Sequence, residues 1–202
     1  MDPGTKLTRL ALFGQPVKSS LSPAIHRMFA DQLGLDISYE LIETSPVDFA
    51  TALESFRLAG GAGCNITLPL KGDAFQLASA CSEQVNLAQA ANTLIWQDFG
   101  WFAHTTDGVG LMTDMLSNHG IAVAGKRVLV LGAGGAVAGI LGSLLAVQPA
   151  RLVLVNRNVE RARSLVERFG SLGELCVSTR AELSGHTAYD VVINATSLGH
   201  RR

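Results

Sequence analysis

The stretch Arg127 to Val147, RVLVLGAGGAVAGILGSLLAV, constrains the fold more than any other part of the chain. From Val128 to Val147 it carries no charge and is about as long as a membrane span. Gly135 and Gly139 even have the GxxxG spacing of packed membrane helices. Glycines cluster in its middle, however, and there they break a single helix into strand, turn and helix. No aromatic belt flanks it, and a second apolar run, Leu152 to Val155, follows directly. The stretch is therefore expected to lie in a folded core rather than in a membrane.

A short apolar strand running into Gly132-Ala133-Gly134-Gly135-Ala136 and then a helix is the setting of a dinucleotide-binding turn. Glycine lets the backbone approach a pyrophosphate, and the helix start offers free amides and partial positive charge. The third fingerprint position is Val137 instead of Gly or Ala, so the motif by itself is weak. The end of the next strand says more. Where an NAD enzyme usually carries an acidic residue, this chain has Asn156 and Arg157, with Arg161 one helical turn on. Arginine suits a 2′-phosphate by charge and by its fork of donors, which favours NADP over NAD.

The rest of the chain alternates strands and helices. Strands are expected at Leu7 to Phe13, Ser38 to Glu43 and Cys64 to Leu68. Asn92 to Trp96 and Trp101 to His104 read as a hairpin around Asp98-Phe99-Gly100. A helix capped by Ser22 should bury Ile25, Met28, Phe29 and Leu33 and stop at Gly34. A second should start at Ser45-Pro46 and run to Leu58, and a third should present Val109, Met112 and Leu116 on one face before Gly120. Beyond the glycine-rich turn, the pattern gives a helix to Val147, strands at Leu152 to Val155, Leu175 to Ser178 and Asp190 to Asn194, and a charged amphipathic helix from Val159 to Phe169. Such alternation predicts an α/β fold with parallel sheet. We expect two α/β domains, 1–107 and 108–202, joined near Asp107 to Gly110.

Of the 202 residues, 48% are hydrophobic and 16% charged, with a net charge of −1, so nothing points to a nucleic-acid partner. The cysteines, Cys64, Cys81 and Cys176, form no metal spacing and read as small buried hydrophobes of a reduced compartment. No secretory leader is visible at the start.

Candidate chemistry lies in five places. Ser20 and Ser22 sit at a helix start, where hydroxyls and free amides suit a small carboxylate, although Ser22 alone also reads as a plain helix cap. Lys71, just past a strand, is placed to pass a proton if partly buried, and Asp107 lies at the domain junction. Spacing does not by itself bring these two together. The nucleotide turn and the Asn156-Arg157 pair complete the set.

The motifs GQPVKSSLSPAIH, NITLPLK, AANTL, TTDG, LGAGGA, VNRNVERA and INATSLG, in this order between Leu10 and Gly199, resemble those of the shikimate dehydrogenase family. The resemblance implies an N-terminal catalytic domain and a C-terminal Rossmann-type NADP-binding domain, with the active site in the cleft between them. It further implies that Ser20 and Ser22 hold the substrate carboxylate, and that Thr67, Asn92 and Asp107 bind ring hydroxyls or the reacting oxygen. Lys71 and Asp107 would be the catalytic pair. Gly132, Ala133, Gly134, Gly135 and Ala136 would cradle the pyrophosphate, Asn156, Arg157 and Arg161 the adenosine phosphate, and Thr196 and Ser197 would border the cofactor. No metal is implied. The implied reaction is NADPH-linked reduction of 3-dehydroshikimate to shikimate in aromatic amino acid biosynthesis, by a cytoplasmic monomer or homodimer.

Some positions depart from the family pattern. Ser19 replaces the histidine of HSxSP, Thr105 the asparagine of NTDG, and Asn158 the threonine after Asn-Arg, while Val137-Ala138 stand where a basic or polar residue is common. Family members also usually run further, with a segment that completes the cofactor domain, returns to the catalytic domain and adds a glutamine and a tyrosine to the substrate site. The second domain is thus expected to be C-terminally truncated, with exposed apolar surface on its last strand. A quinate/shikimate dehydrogenase and a truncated, non-catalytic ligand-binding protein are the alternatives.

Overall fold

The computed structural model describes residues 7–185 and 188–196. The chain divides into two compact units, Met1–Val85 with Ala90–His104, and Asn86–Gln89 with Thr105–Arg202. The division falls at His104/Thr105, a few residues before the expected 107/108, and Asn86–Gln89 joins the second unit. Arg168 explains that excursion: its guanidinium donates to the carbonyls of Ala88 at 2.7 Å and Leu87 at 3.3 Å.

In the first unit, β1 (Thr8–Gly14) is followed by α1 (Ser22–Leu33), β2 (Ile37–Glu43), α2 (Phe49–Leu58) and β3 (Gly61–Ile66). Next come α3 (Lys71–Leu77), β4 (Ala80–Cys81), α4 (Glu83–Ala88), which the division splits after Val85, and the hairpin strands β5 (Thr93–Gln97) and β6 (Gly100–His104). Among the described residues these strands form one sheet in the order β2-β1-β3-β5-β6-β4. β1 runs parallel to β2 and β3, while β5 is antiparallel to both β3 and β6, so this sheet is mixed. Ala11, Leu12 and Phe13 of β1 are all buried, as expected for a central strand covered on both faces. Phe13 meets Phe49 and Phe56 edge to face, with centroids 5.7 and 5.6 Å away. A fully buried phenylalanine of this kind contributes about 3–5 kcal/mol against alanine.

Helix α1 corrects the sequence reading. Ile25, Met28, Phe29 and Leu33, its expected buried face, are 43%, 61%, 52% and 70% exposed. The helix lies on β2 through Ser22, His26 and Ala30, one i, i+4 line, with the His26 ring stacked on Tyr39 at 4.1 Å. A polar contact, invisible to a hydrophobic count, sets its rotation. Leu21, not Ser22, occupies the cap position, and Ser22 is the first helical residue. Helix α2 also starts later than expected, because Ser45 closes a turn on Asp48, accepting from its amide and donating to its carboxylate.

The second unit holds α5 (Asp107–Thr113), which passes into a π-helical turn at Asp114–Asn118, then β7 (Arg127–Leu131), α6 (Gly135–Ala146), β8 (Arg151–Val155), α7 (Val159–Phe169), β9 (Leu175–Ser178) and β10 (Val191–Asn194). These strands are parallel, in the order β10-β7-β8-β9. Helix α6 buries residues on nearly every side, including Leu141 and Leu144, which accounts for the long uncharged run. None of the described helices is long and apolar enough to cross a membrane. Asn158 caps α7, its side chain accepting from the Arg161 amide. On β10, Val192 is 58% exposed.

The expected face of α5 is also corrected. Val109 and Leu116 are exposed, whereas Gly108 and Met115 are buried. Gly108 lies so close to α6 that an added Cβ would stand 3.0 Å from Gly139 O and 2.9 Å from Ser143 Cβ. The contact is made by absent side chains, so apolar spacing does not reveal it. Among the cysteines only Cys64 is buried, its thiol pushed up by that burial, and Cys81 and Cys176 are half-buried.

Candidate active site

In the first unit, the loops that leave β1 and β3 and the one that enters β5 meet at one end of the sheet. The amide of Thr67 donates to Phe13 O at 2.9 Å, and its carbonyl accepts from Leu70 at 3.0 Å, which shapes the turn into α3. Lys71 is the first residue of α3 and half-buried; its carbonyl accepts from the Ala91 amide at 2.9 Å. Next to it, the Asn92 carbonyl accepts from Ile66 at 2.7 Å. The backbone thus gathers Thr67, Lys71 and Asn92 at the carboxyl ends of β1 and β3, where sites form in α/β sheets.

Ser20 and Ser22 lie in the loop and helix start that follow β1, a loop whose Gln15 amide donates to Leu68 O at 2.8 Å. Ser20 Oγ accepts from the Ser22 amide at 3.2 Å and donates to Ser22 Oγ at 3.1 Å. Ser22 opens the helix whose His26 ring stacks on Tyr39 at 4.1 Å. Tyr39 donates to Asn65 Oδ1 at 2.7 Å, Asn65 makes a long 3.5 Å contact with Thr93 Oγ1, and Thr93 donates to Asn92 Oδ1 at 2.8 Å. One series of polar contacts therefore runs from Tyr39 to Asn92. Desolvation pushes the Tyr39 hydroxyl up to about 12. Tyr39, Asn65 and Thr93 were not singled out from sequence; the Asn and Thr of NITLPLK and AANTL are the only traces they leave there.

In the second unit, the register pairs Asn194 with Leu131 and Leu131 with Val155, so three strands end side by side. The strand order turns back between β7 and β10, the switch point at which ligands bind in parallel sheets. Gly132 leaves β7 there with φ +121°, its amide donating to Val155 O at 2.8 Å. A Cβ on Gly132 would lie 2.9 Å from Ala195 O and 3.4 Å from the Val137 side chain. Val137, at the third fingerprint position, is itself fully buried. Gly134 is extended, with open space where a Cβ would be. The first bond of α6 runs from the Ala138 amide to Gly134 O, so the Gly135, Ala136 and Val137 amides stand at the open helix end beside Ala133.

The other predicted residues surround this edge. Asn156 follows β8 and donates to Asn158 O at 2.7 Å; Arg157 and Arg161 are exposed. Thr196 donates to Asn194 Oδ1 through both its amide, at 3.1 Å, and its hydroxyl, at 2.8 Å. Ser197 lies outside the described residues. Asp107 opens α5, and its carboxylate lies against Gly139 of α6. Thr105, where the family pattern has asparagine, is buried, and among the described residues its hydroxyl finds no partner. No group of three or more His, Cys, Asp or Glu among the described residues is arranged to hold a metal. A separate cavity, lined by Arg127, Arg151, Cys176 and Tyr189 among others, includes none of the predicted residues.

Residues 12–94 match the family described as shikimate dehydrogenase substrate binding domain, and residues 115–201 the family described as shikimate / quinate 5-dehydrogenase. The chain is 41% identical over 196 residues to a shikimate dehydrogenase (NADP(+)) of Xanthomonas campestris pv. campestris, covering 97% of this chain and 69% of the relative. It is 47% identical over 190 residues to the enzyme of that name from Chromohalobacter salexigens, covering 94% and 69%. Among solved structures, an Ael1 enzyme from Pseudomonas putida is similar with a TM-score of 0.84 and 41% identity, over 94% of this chain and 69% of that one. Shikimate 5-dehydrogenase from Thermus thermophilus, in complex with NADP(H) and shikimate, is similar with a TM-score of 0.80 and 32% identity, over 94% and 68%.

Proposed function

This chain belongs to the shikimate dehydrogenase family, and on that premise we propose that it interconverts 3-dehydroshikimate and shikimate with NADP(H) as the redox partner. The observation that carries the reading is the convergence of Ser20, Ser22, Thr67, Lys71 and Asn92 at one sheet end. A small polyhydroxy acid needs such a set: hydroxyl donors for its carboxylate, amide and hydroxyl groups for its ring, and one ammonium for the oxygen that changes charge.

The cradle at the second sheet fits a dinucleotide. Gly132 and Gly134 leave the backbone bare, and the amides of Gly135 and Ala136 suit a pyrophosphate. Arg157 and Arg161 are exposed beyond β8 and supply positive charge for a 2′-phosphate, with Asn156 holding the turn through Asn158. Thr196 borders the same edge, braced by Asn194. When bound, NADP(H) supplies or accepts the hydride.

The protein's own part is orientation and proton handling. Ser20 and Ser22 fix the carboxylate, while Thr67 and Asn92 orient ring hydroxyls. Lys71 faces the oxygen on which negative charge grows during reduction; it stabilises that charge and delivers a proton to the oxygen. Asp107 accepts a hydrogen bond from the reacting hydroxyl. In this reading the first unit binds substrate, the second binds cofactor, and the protein is a cytoplasmic monomer or homodimer.

Steady-state turnover of shikimate and of quinate, each with NADP and with NAD, tests the assignment. A higher kcat/KM for shikimate with NADP than for the other three combinations is expected. Preference for quinate, or for NAD, overturns that part of the assignment.

A further inference from the structure

Arg168 stands in the last turn of α7, and its guanidinium is held on several sides. Nε donates to Ser164 O at 3.4 Å, and the group lies 6.0 Å from the centre of the Phe169 ring. Nη1 donates to Ala88 O at 2.7 Å and to Leu87 O at 3.3 Å. Those two carbonyls belong to the last turn of α4, where a helix has no partners of its own to offer. Ala88 is only 2% exposed, so its carbonyl needs a donor from the protein.

Beyond Ala88 the chain turns sharply into the substrate end of the first sheet. Gln89 takes φ +50°, a left-handed conformation that few residues other than glycine adopt. Ala90 and Ala91 are buried, and the Ala91 amide donates to Lys71 O at 2.9 Å. Asn92 follows directly; its amide donates to His104 O at 3.2 Å. The turn is short and its two alanines are packed in, so it has little slack.

We propose that Arg168 is a positioning residue for Asn92, holding the end of α4 so that the turn delivers the Asn92 side chain to the substrate. The inference rests on the reading of Asn92 as a ligand of a ring hydroxyl. Arginine suits the task, because its charged fork bonds carbonyls strongly and keeps its protons at any working pH. Without those donors the buried Ala88 carbonyl is left unpaired, and the turn must shift to find it another partner. The shift is passed along the backbone to Asn92, whose Oδ1 is aligned by the Thr93 hydroxyl at 2.8 Å. An arginine of the proposed cofactor-binding unit thus governs a group that meets the substrate.

The test is calorimetric titration of shikimate, and separately of NADP, into the wild-type chain, Arg168→Met, Arg168→Ala, Asn92→Ala and the Arg168→Met/Asn92→Ala double variant, with thermal unfolding of each. Methionine keeps an apolar stem and removes every donor; alanine removes the stem as well and favours the helix. Either Arg168 variant is expected to weaken shikimate binding about three- to ten-fold, the loss of one net hydrogen bond from a displaced Asn92. NADP affinity should not change, because Arg168 lies two turns along α7 from Arg161. In the Asn92→Ala background Arg168→Met should add nothing, because the effect passes through Asn92. A purely structural arginine would lower the melting temperature and leave shikimate affinity intact. Wild-type shikimate affinity in either folded Arg168 variant, or the same loss repeated on top of Asn92→Ala, overturns the inference while leaving the substrate reading intact. A folded wild-type chain that binds no shikimate overturns the substrate reading and this inference with it.

Discussion

The Asp107 carboxylate rests on the bare backbone of Gly139: a Cβ added there would lie 2.8 Å from Asp107 Oδ2 and 3.3 Å from Asp107 Cβ. Gly108, the next residue, presses equally closely on the Gly139 carbonyl. Two glycines, one from α5 and one from α6, thus set where the proposed catalytic carboxylate stands. Replacing Gly139 by valine should push that carboxylate aside and lower kcat about 10- to 100-fold, the usual effect of a misplacement near 1 Å. Steady-state kinetics on a variant that retains its thermal transition checks this; an unchanged kcat would separate Asp107 from the chemistry.

Gly132 makes a different demand. Its φ of +121° excludes most side chains, and an alanine Cβ would stand 2.9 Å from Ala195 O. Strain and overpacking together should destabilise Gly132→Ala by about 1–3 kcal/mol. The turn must also shift, so NADP affinity should fall by more than the loss of stability alone explains. Denaturant unfolding and NADP titration on the same sample measure the two effects separately.

Arg157→Asp tests the choice of cofactor. The residue is exposed at the end of β8, so the substitution should leave the fold unchanged. Replacing a guanidinium by a carboxylate near a 2′-phosphate should raise KM for NADP at least about ten-fold and leave KM for NAD level or lower. Equal losses for both cofactors would contradict a phosphate contact.

The Tyr39 phenol gives a pH dependence. Its value is raised from 10.0 to about 12 by desolvation. The folded state therefore holds this proton more tightly than the unfolded chain. The linked stability is fully present below about pH 10 and is lost as pH rises toward 12. Tyr39→Phe should lack that component, so its melting temperature should fall less between pH 10 and pH 12 than that of the wild type. Parallel curves would assign the alkaline loss to other groups.

Much of the second unit was legible because its signals are local. An apolar strand, a glycine turn and a charged helix with 3.6-residue spacing fix β7, α6 and α7 nearly to the residue. The hairpin around Asp98-Phe99-Gly100 was equally plain. The faces of α1 and α5 were not, because α1 docks through Ser22 and His26 and α5 through Gly108, none of which adds to an apolar stripe. Tyr39 was hidden for another reason. It reaches Asn65 only because the sheet order puts β1 between β2 and β3, and that order is not written in the spacing of either segment. Ser20, Lys71 and Asn92 are proposed from motifs, but the polar series from Tyr39 through Asn65 and Thr93 to Asn92 needs the fold.

The most direct test of the account is NADPH formation from shikimate and NADP by the purified chain, with Lys71→Ala measured beside it. We predict turnover by the wild type. In Lys71→Ala, kcat should fall about 10²- to 10⁴-fold while KM for shikimate changes little, as expected when a group acts on the reacting oxygen rather than on ground-state binding. A folded, soluble wild type without turnover would contradict the proposed activity. A Lys71→Ala variant with normal kcat and only a raised KM would contradict the role given to Lys71.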